Sequence, residues 1–509
     1  MNESKTSEFI LSRLLNKYID FYNRVTCKVI KRKFGNAFTV ALTAVTMFLF
    51  SLWYIYEIEG VLFIQKPMYK AFLYIAMMLV AFLMTQSMPE PGTGIVWKKS
   101  FLIPALFILV SYFLTGIFKG AHEQMMWIAI YLLFFIPFMS RIADRDNRRV
   151  FIHNMSVGIV IFAVALMIVS IAVAPYASMV DYNYKKYVSV RYASIYCNPG
   201  VVGYFTAVIS VAAAYLIIEQ VHDRYLRAEK KLTIKDGLLL LLYTFCLAGA
   251  WYMMFMTQTR SVMIGFFASG IFEVIMLMKC LVSVHAKLKN IIVATMIVVV
   301  SVASAYKFTD VILQKNLRFL GVDAHYTAIE LMFTRTADTL HISAAEEAER
   351  VEVQGMPEHL SLSQREVWAK LDLLTTHRIY IWYTYAHHLG ILGHTERKFS
   401  LPGYPRNLTL QSHNVILELA FKGGIFAGVG ILVIGFMSFL YSLKLLFTRK
   451  YDMTLTMPAM LTMLYIPIAM FITINNGLTY PVSFFYYLML GAFFTKVREN
   501  GNCREANQE

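Results

Sequence analysis

The sequence predicts an all-α protein that crosses a membrane many times. Of its 509 residues, 58% are hydrophobic and 16% are charged, against roughly 25% charged residues in soluble domains. Apolar runs recur along the chain, and each is about as long as the 20 residues that a helix needs to cross a bilayer. By run length we expect about twelve spans, near 37–56, 69–87, 101–118, 124–139, 154–174, 200–218, 237–256, 261–281, 290–306, 424–447, 456–475 and 480–496.

The basic residues follow the positive-inside rule. With twelve spans, the clusters within 141–149, 224–235, 279–289, 444–450 and 496–504 all fall on the side of the N-terminus. The net charge of +15 is therefore a consequence of topology and does not call for nucleic acid as a partner. We expect both termini in the cytoplasm and membrane lipids as neighbours.

This topology divides the chain into five parts. Residues 1–35 form an amphipathic segment on the inner membrane surface, and 36–306 form a bundle of about nine spans. Residues 307–412 form an external loop, with helices expected at 344–354, 361–374 and 378–389. A loop of about a hundred residues exceeds ordinary connections, which suggests a role of its own. A helix re-entering the membrane and the last three spans occupy 413–496, and 497–509 is a cytoplasmic tail.

His413 is the most informative single residue, because it ends the external loop and precedes a helix that leads back into the membrane. Histidine is the side chain best suited to proton transfer near neutral pH. Arg191, Arg260 and Arg378 fall on the same predicted side. Taken alone, Arg260 and Arg191 are more typical of arginines that contact lipid headgroups, and Arg378 could equally be a surface charge on an amphipathic helix. Together with His413 they indicate an acceptor hydroxyl and a phosphate-bearing donor.

A zinc site is the other chemistry that the loop histidines suggest. His387, His388, His394 and His413 lie in or beside the loop, but no HxxxH or HExxH pair is present, and adjacent histidines point to different faces of a helix. The chain has no CxxC motif either. We therefore predict no metal and no cofactor.

Four short motifs, in this order, resemble the O-antigen ligase and O-antigen polymerase superfamily of bacterial membrane glycosyltransferases. Arg191 with Asn198-Pro199 resembles its Arg … Asn-Pro-Asn element, and Thr259-Arg260-Ser261 resembles its Ser-Arg-Gly motif. Arg378-Ile-Tyr-Ile-Trp382, followed by Ile391-Leu-Gly-His394, resembles its Arg-x-x-x-Trp … Leu-Gly-x-Gly stretch. His413-Asn414, nine residues and Gly424 resemble its His-Asn-x9-Gly-x-x-Gly signature. The resemblance covers residues 100–490, with Gly200, Thr259 and Ala427 departing from the family pattern.

The resemblance implies a C-type glycosyltransferase fold and a metal-independent, inverting transfer on the outer face of the bacterial cytoplasmic membrane. The donor would be a glycan on undecaprenyl diphosphate. The motifs do not identify the acceptor; we favour another glycan, and so a polymerase, because the polysaccharide loci of many bacteria need one. Arg260 and Arg378, with Arg191 as a third cation, would bind the diphosphate, since one guanidinium group can donate two parallel hydrogen bonds to phosphate oxygens. His413 would be the general base, and a polymerase of this kind could work beside a chain-length regulator.

Two other functions remain open at this stage. A ligase would use the same motifs to join the glycan to a lipid, a protein or another envelope acceptor. A transporter of lipid-linked oligosaccharides would also have about twelve spans. Transporters, however, place ionisable residues near the membrane midplane, whereas here Glu273 is the main such residue.

Overall fold

A computed structural model describes residues 10–29, 35–55, 66–90, 94–173, 179–181, 189–196, 198–226, 233–257, 259–286, 288–319, 367, 378–395, 399–400, 409–448, 451–472 and 480–497. These residues are mainly helical, and their strands form short antiparallel pairs. The all-α class is therefore confirmed. Within these ranges ten helical segments are long and apolar enough to cross a membrane, as expected of a polytopic membrane protein.

The described residues of the N-terminal half form eight α-helices. They are α1 (Ile10–Val29), α2 (Asn36–Tyr54), α3 (Lys66–Ser87), α4 (Lys99–Lys119), α5 (His122–Ile130), α6 (Ile136–Arg141), α7 (Arg145–Val173) and α8 (Pro199–Leu226). A π-helical turn, Tyr131–Phe135, joins α5 to α6.

The described residues of the C-terminal half form eight more helices. They are α9 (Ile234–Thr257), α10 (Arg260–Ser283), α11 (Leu288–Phe319), α12 (Arg378–His387), α13 (Val415–Gly423), α14 (Ile425–Phe447), α15 (Met453–Phe471) and α16 (Pro481–Phe494). The strand pairs are β1 (Ile95–Trp97) with β6 (Thr495–Val497), β2 (Met179–Asp181) with β3 (Ser189–Arg191), and β4 (Phe399–Ser400) with β5 (Thr409–Leu410).

The predicted spans correspond closely to these helices. Ten of the twelve coincide with the segments that are long and apolar enough to cross a membrane. The segment 290–306 lies within α11. The last, 480–496, corresponds to α16, whose 14 residues extend only about 21 Å, less than a hydrocarbon core of about 30 Å. The count of twelve therefore stays a prediction.

Helix α8 lies at the centre of the bundle. In its most apolar stretch 94% of the residues are buried. Helices α7, α9, α10 and α15 pack around it. Small residues such as Ala212–Ala214 let neighbouring helices approach closely. Large side chains such as Phe48, Phe72 and Ile171 are exposed on outer helices, as expected where lipid replaces a protein neighbour.

Contacts between distant segments show which helix ends lie together. At one end β1 pairs with β6, and Arg145 lies 3.6 Å from Asp452. At the other end the Tyr192 amide donates to the Met256 carbonyl at 3.0 Å. These pairings match the alternation of sides that the predicted topology requires. The assignment of the first end to the cytoplasm continues to rest on the positive-inside rule.

The predicted helices outside the bundle are only partly within the described residues. Helix α1 buries Ile19 and Tyr22 on one face and exposes Ile10, Leu14 and Phe21 on another. Its place on the inner membrane surface stays a prediction. Helix α12 confirms the helix expected at 378–389. The helices expected at 344–354 and 361–374 lie outside the described residues except for Val367, and so does the tail beyond 497.

Candidate active site

His413 lies in a tight turn between β5 and α13. Its backbone is left-handed, with φ at 51°, an uncommon conformation that persists where the surroundings hold it. Buried Ser412 donates from its Oγ to the Asn414 carbonyl at 2.8 Å. This bond closes the turn across His413, which therefore projects from a fixed backbone.

Asn414 begins the helix that follows. Its Oδ1 accepts the amides of Ile416 at 2.9 Å and Leu417 at 3.1 Å, the usual way in which asparagine satisfies the first N–H groups of a helix. Its Nδ2 donates to the Met470 carbonyl at 3.2 Å. Asn414 thus caps α13 and attaches the His413 turn to the end of α15.

His413 is neutral at physiological pH. Partial burial, aided by the positive field of Arg378, lowers the pKa of the imidazole to about 4, and the opposing field of Glu418 does not offset this. A neutral imidazole can accept a proton. The electrostatic coupling also places Arg378 in the neighbourhood of His413.

Arg378 is the first residue of α12 and is half-buried. Burial lowers the pKa of its guanidinium, and the hydroxyl of Tyr204 on α8 raises it, while arginine in proteins stays protonated. Trp382, one turn further along, packs against Phe471 with ring centroids 6.0 Å apart. This ring contact explains the Arg-x-x-x-Trp spacing, because it holds α12 against α15 with Arg378 facing the bundle.

Arg260 is likewise the first residue of its helix, α10, and is half-buried. The start of α10 packs on the start of α8, where a Cβ added to Gly203 would lie 3.0 Å from Val262. Tyr204, adjacent to Gly203, interacts with Arg378. Arg260, Arg378 and His413 therefore lie at the same end of the bundle, as predicted.

Arg191 ends β3, where it is opposite Met179. The amide of the next residue, Tyr192, bonds to Met256 near the end of α9, so the backbone of Arg191 lies at this end too. Its side chain is outside the described part of the chain. Asn198 caps α8, since its Oδ1 accepts the Gly200 amide at 2.7 Å. The role of Asn198 is thus conformational.

Gly424 separates α13 from α14 and has φ at 100°, a conformation that favours glycine. A Cβ at Gly424 would overlap the Ile391 carbonyl, and one at Gly393 would overlap the Lys422 carbonyl. The Ile425 amide also donates to the Gly390 carbonyl at 2.9 Å. Two motifs that are distant in sequence therefore meet, and their glycines allow the contact.

Sequence reasoning missed the polar residues that hold α13 in place. Gln124 Nε2 donates to the Lys422 carbonyl at 2.8 Å. Ser111 and Thr115 of α4 donate to the Gly423 carbonyl at 2.6 and 3.0 Å. No local pattern marks these residues, because each acts on a partner about 300 positions away.

The described histidines of the loop bond to backbone carbonyls. His387 Nδ1 lies 2.9 Å from the Tyr383 oxygen, His388 Nδ1 lies 2.8 Å from the Thr384 oxygen, and His394 Nε2 lies 2.7 Å from the His388 oxygen. Within the part of the chain that the structure describes, no group of three or more His, Cys, Asp or Glu side chains could hold a metal ion.

Comparisons with protein families, with curated proteins and with solved structures gave no match. The resemblance to the O-antigen ligase and polymerase superfamily therefore rests on the motifs alone.

Proposed function

We propose that this protein is a membrane glycan polymerase. It transfers an oligosaccharide from undecaprenyl diphosphate to an acceptor glycan on the outer face of the bacterial cytoplasmic membrane, without a metal and with inversion at the anomeric carbon. The observation that carries the proposal is a neutral, partly buried His413 held in the field of Arg378. A base in this site can take the proton of the acceptor hydroxyl, and a fixed cation beside it can stabilise the diphosphate as it leaves.

The two arginines favour an anionic leaving group. Both Arg260 and Arg378 begin a helix, where the helix dipole makes the end positive. A cation at this position is unfavourable by itself, and an anion bound beside it would relieve the repulsion. A guanidinium can bind two phosphate oxygens at once, which suits a diphosphate.

The transfer step follows from these roles. The acceptor hydroxyl oxygen attacks the anomeric carbon on the face opposite the diphosphate, and its proton passes to His413. The bond between the anomeric carbon and the phosphate oxygen breaks, and its electron pair leaves with the diphosphate, where Arg260 and Arg378 stabilise the charge. Arg191 is a third cation for the same group. A general base of this kind contributes roughly two to four orders of magnitude in rate.

The test is release of undecaprenyl diphosphate by the purified protein in vesicles that contain a lipid-linked oligosaccharide. We expect release by the wild type, loss with His413→Ala, and normal release with His387→Ala, whose side chain is exposed at the end of α12. A ladder of products identifies a polymerase, and a single addition to a lipid or protein identifies a ligase. Movement of lipid-linked glycan across the bilayer without release would contradict the proposal and identify a transporter.

A further inference from the structure

Glu418 is an acidic side chain that the proposed mechanism does not use. It lies one turn into α13 and is 1% exposed. Burial of a carboxylate is costly unless each oxygen has a partner. Both oxygens have one here: Oε2 accepts the backbone N–H of Ser412 at 3.1 Å, and Oε1 lies 3.2 Å from Lys422 Nζ.

The bond to Ser412 acts directly on the His413 turn. Ser412 precedes His413, and its amide is bonded to a carboxylate on the helix that follows His413. The Ser412 hydroxyl then bonds forward to the Asn414 carbonyl at 2.8 Å. The left-handed backbone of His413 is therefore held from both sides, and Glu418 provides one of the two restraints.

The ion pair fixes Glu418 in turn. Lys422 Nζ lies between Glu418 and Glu123 of α5, at 3.2 and 3.7 Å. The carbonyl of Lys422 accepts from Gln124, also on α5. Glu418 is thus anchored to the bundle through a charge and a backbone bond. A movement of α5 would be transmitted to the His413 turn along this connection.

We propose that Glu418 is the positioning residue of this site, setting both the orientation of His413 and its readiness to accept a proton. The inference rests on the proposed function, in which His413 is the base. Among the described residues, the charged groups acting on His413 are Arg378 from α12 and Glu418 from α13, with opposite signs. Lys422 partly neutralises Glu418. Loss of Glu418 would lower the pKa of His413 further, and loss of Lys422 would raise it.

The experiment is the titration of His413 in the full-length protein in non-ionic detergent, followed by NMR of 13C-labelled histidine. The signal is assigned by its disappearance in His413→Ala. We compare the wild type with Glu418→Gln, which keeps the size and the carbonyl acceptor, and with Lys422→Gln. We expect the midpoint to move down in Glu418→Gln and up in Lys422→Gln.

Only a charge acting on His413 would move its titration midpoint in opposite directions in the two variants. A general loss of packing at the site would move the midpoint in the same direction in both. Equal midpoints, or shifts of the same sign, overturn the proposal. If Glu418→Gln does not fold, the direction of the Lys422→Gln shift decides alone. The readout does not need turnover. The midpoints could shift as expected while the His413→Ala variant remains active. That result would support the action of Glu418 on His413 and reject His413 as the base.

Discussion

Gly393 packs against the backbone carbonyl of Lys422 so closely that a side-chain methyl group would overlap it. Its own amide donates to Thr115 Oγ1 at 2.9 Å, and Thr115 also bonds to the Gly423 carbonyl. The loop after α12, the end of α13 and the C-terminal part of α4 therefore meet at one point. Through this contact the loop that follows Arg378 and the helix that follows His413 are held together.

The first prediction concerns this contact. Gly393→Ala should force the loop away from α13, lowering the free energy of unfolding by about 1–3 kcal/mol and reducing glycan transfer. Gly435→Ala is the matched control, because an added Cβ there would lie 3.5 Å from Ile466, an ordinary contact. Thermal unfolding and transfer assays on both variants provide the measurement. Equal behaviour of the two variants would show that the close approach does not matter.

The second prediction concerns the cap of α13. Asn414→Ala removes two bonds to helix amides and the bond to Met470, so it should cost about 1–2 kcal/mol of stability and lower the transfer rate. Asp452 caps α15 at the other end of the bundle by accepting the Thr454 amide at 3.0 Å. Asp452→Ala should lower the unfolding temperature while leaving transfer by the folded protein near normal. Equal loss of transfer in both variants would contradict a local role for Asn414.

The third prediction is a pH dependence. His413 must be neutral to accept a proton, and its pKa of about 4 lies below the ordinary value of about 6.5. The rate at low donor concentration should therefore stay constant from pH 7 to about 5 and fall as the pH approaches 4. A fall centred near pH 6.5 would show that burial does not act on His413 as described.

The same shift has a consequence for stability. In the unfolded chain His413 binds a proton near pH 6.5, whereas in the folded protein it does so only near pH 4. The unfolded state thus binds more protons between these values, and the contribution of His413 to stability falls as the pH falls from 6.5 to 4. The drop in unfolding temperature between pH 7.5 and 5 should be smaller in His413→Ala than in the wild type.

The fourth prediction separates charge from geometry at the arginines. Arg260→Lys and Arg378→Lys keep the positive charge but lose the paired donors, so each should lower kcat/KM for the donor by roughly 10²–10³-fold. Inhibition by inorganic pyrophosphate should weaken in parallel. Arg145→Lys, at the opposite end of the bundle beside Asp452, serves as the control. Full activity of both lysine variants would exclude a bidentate phosphate role.

Much of the architecture was predictable because the signals are local. Helix ends follow from apolar run length, and the chain alternates sides with each span. The positions of Arg260, Arg378 and His413 at one end of the bundle were therefore predictable without any contact information. The start of α13 was predictable as well, since Asn414 is a strong N-capping residue.

The sequence by itself thus determined the helical class, ten of the apolar spans and the common side of the candidate residues, because each depends on neighbours along the chain. Only the tertiary structure decided that Glu418 bonds to the Ser412 amide, that Arg378 acts on His413, and that Gly393 meets Lys422. Helical periodicity places Glu418 and Lys422 on one face of α13. The contacts with Ser412, Arg378 and Gly393 form only because the segment before His413 folds back on α13 and because α4, α5 and α12 pack against α13. Such contacts depend on how whole helices pack, and no local pattern records them.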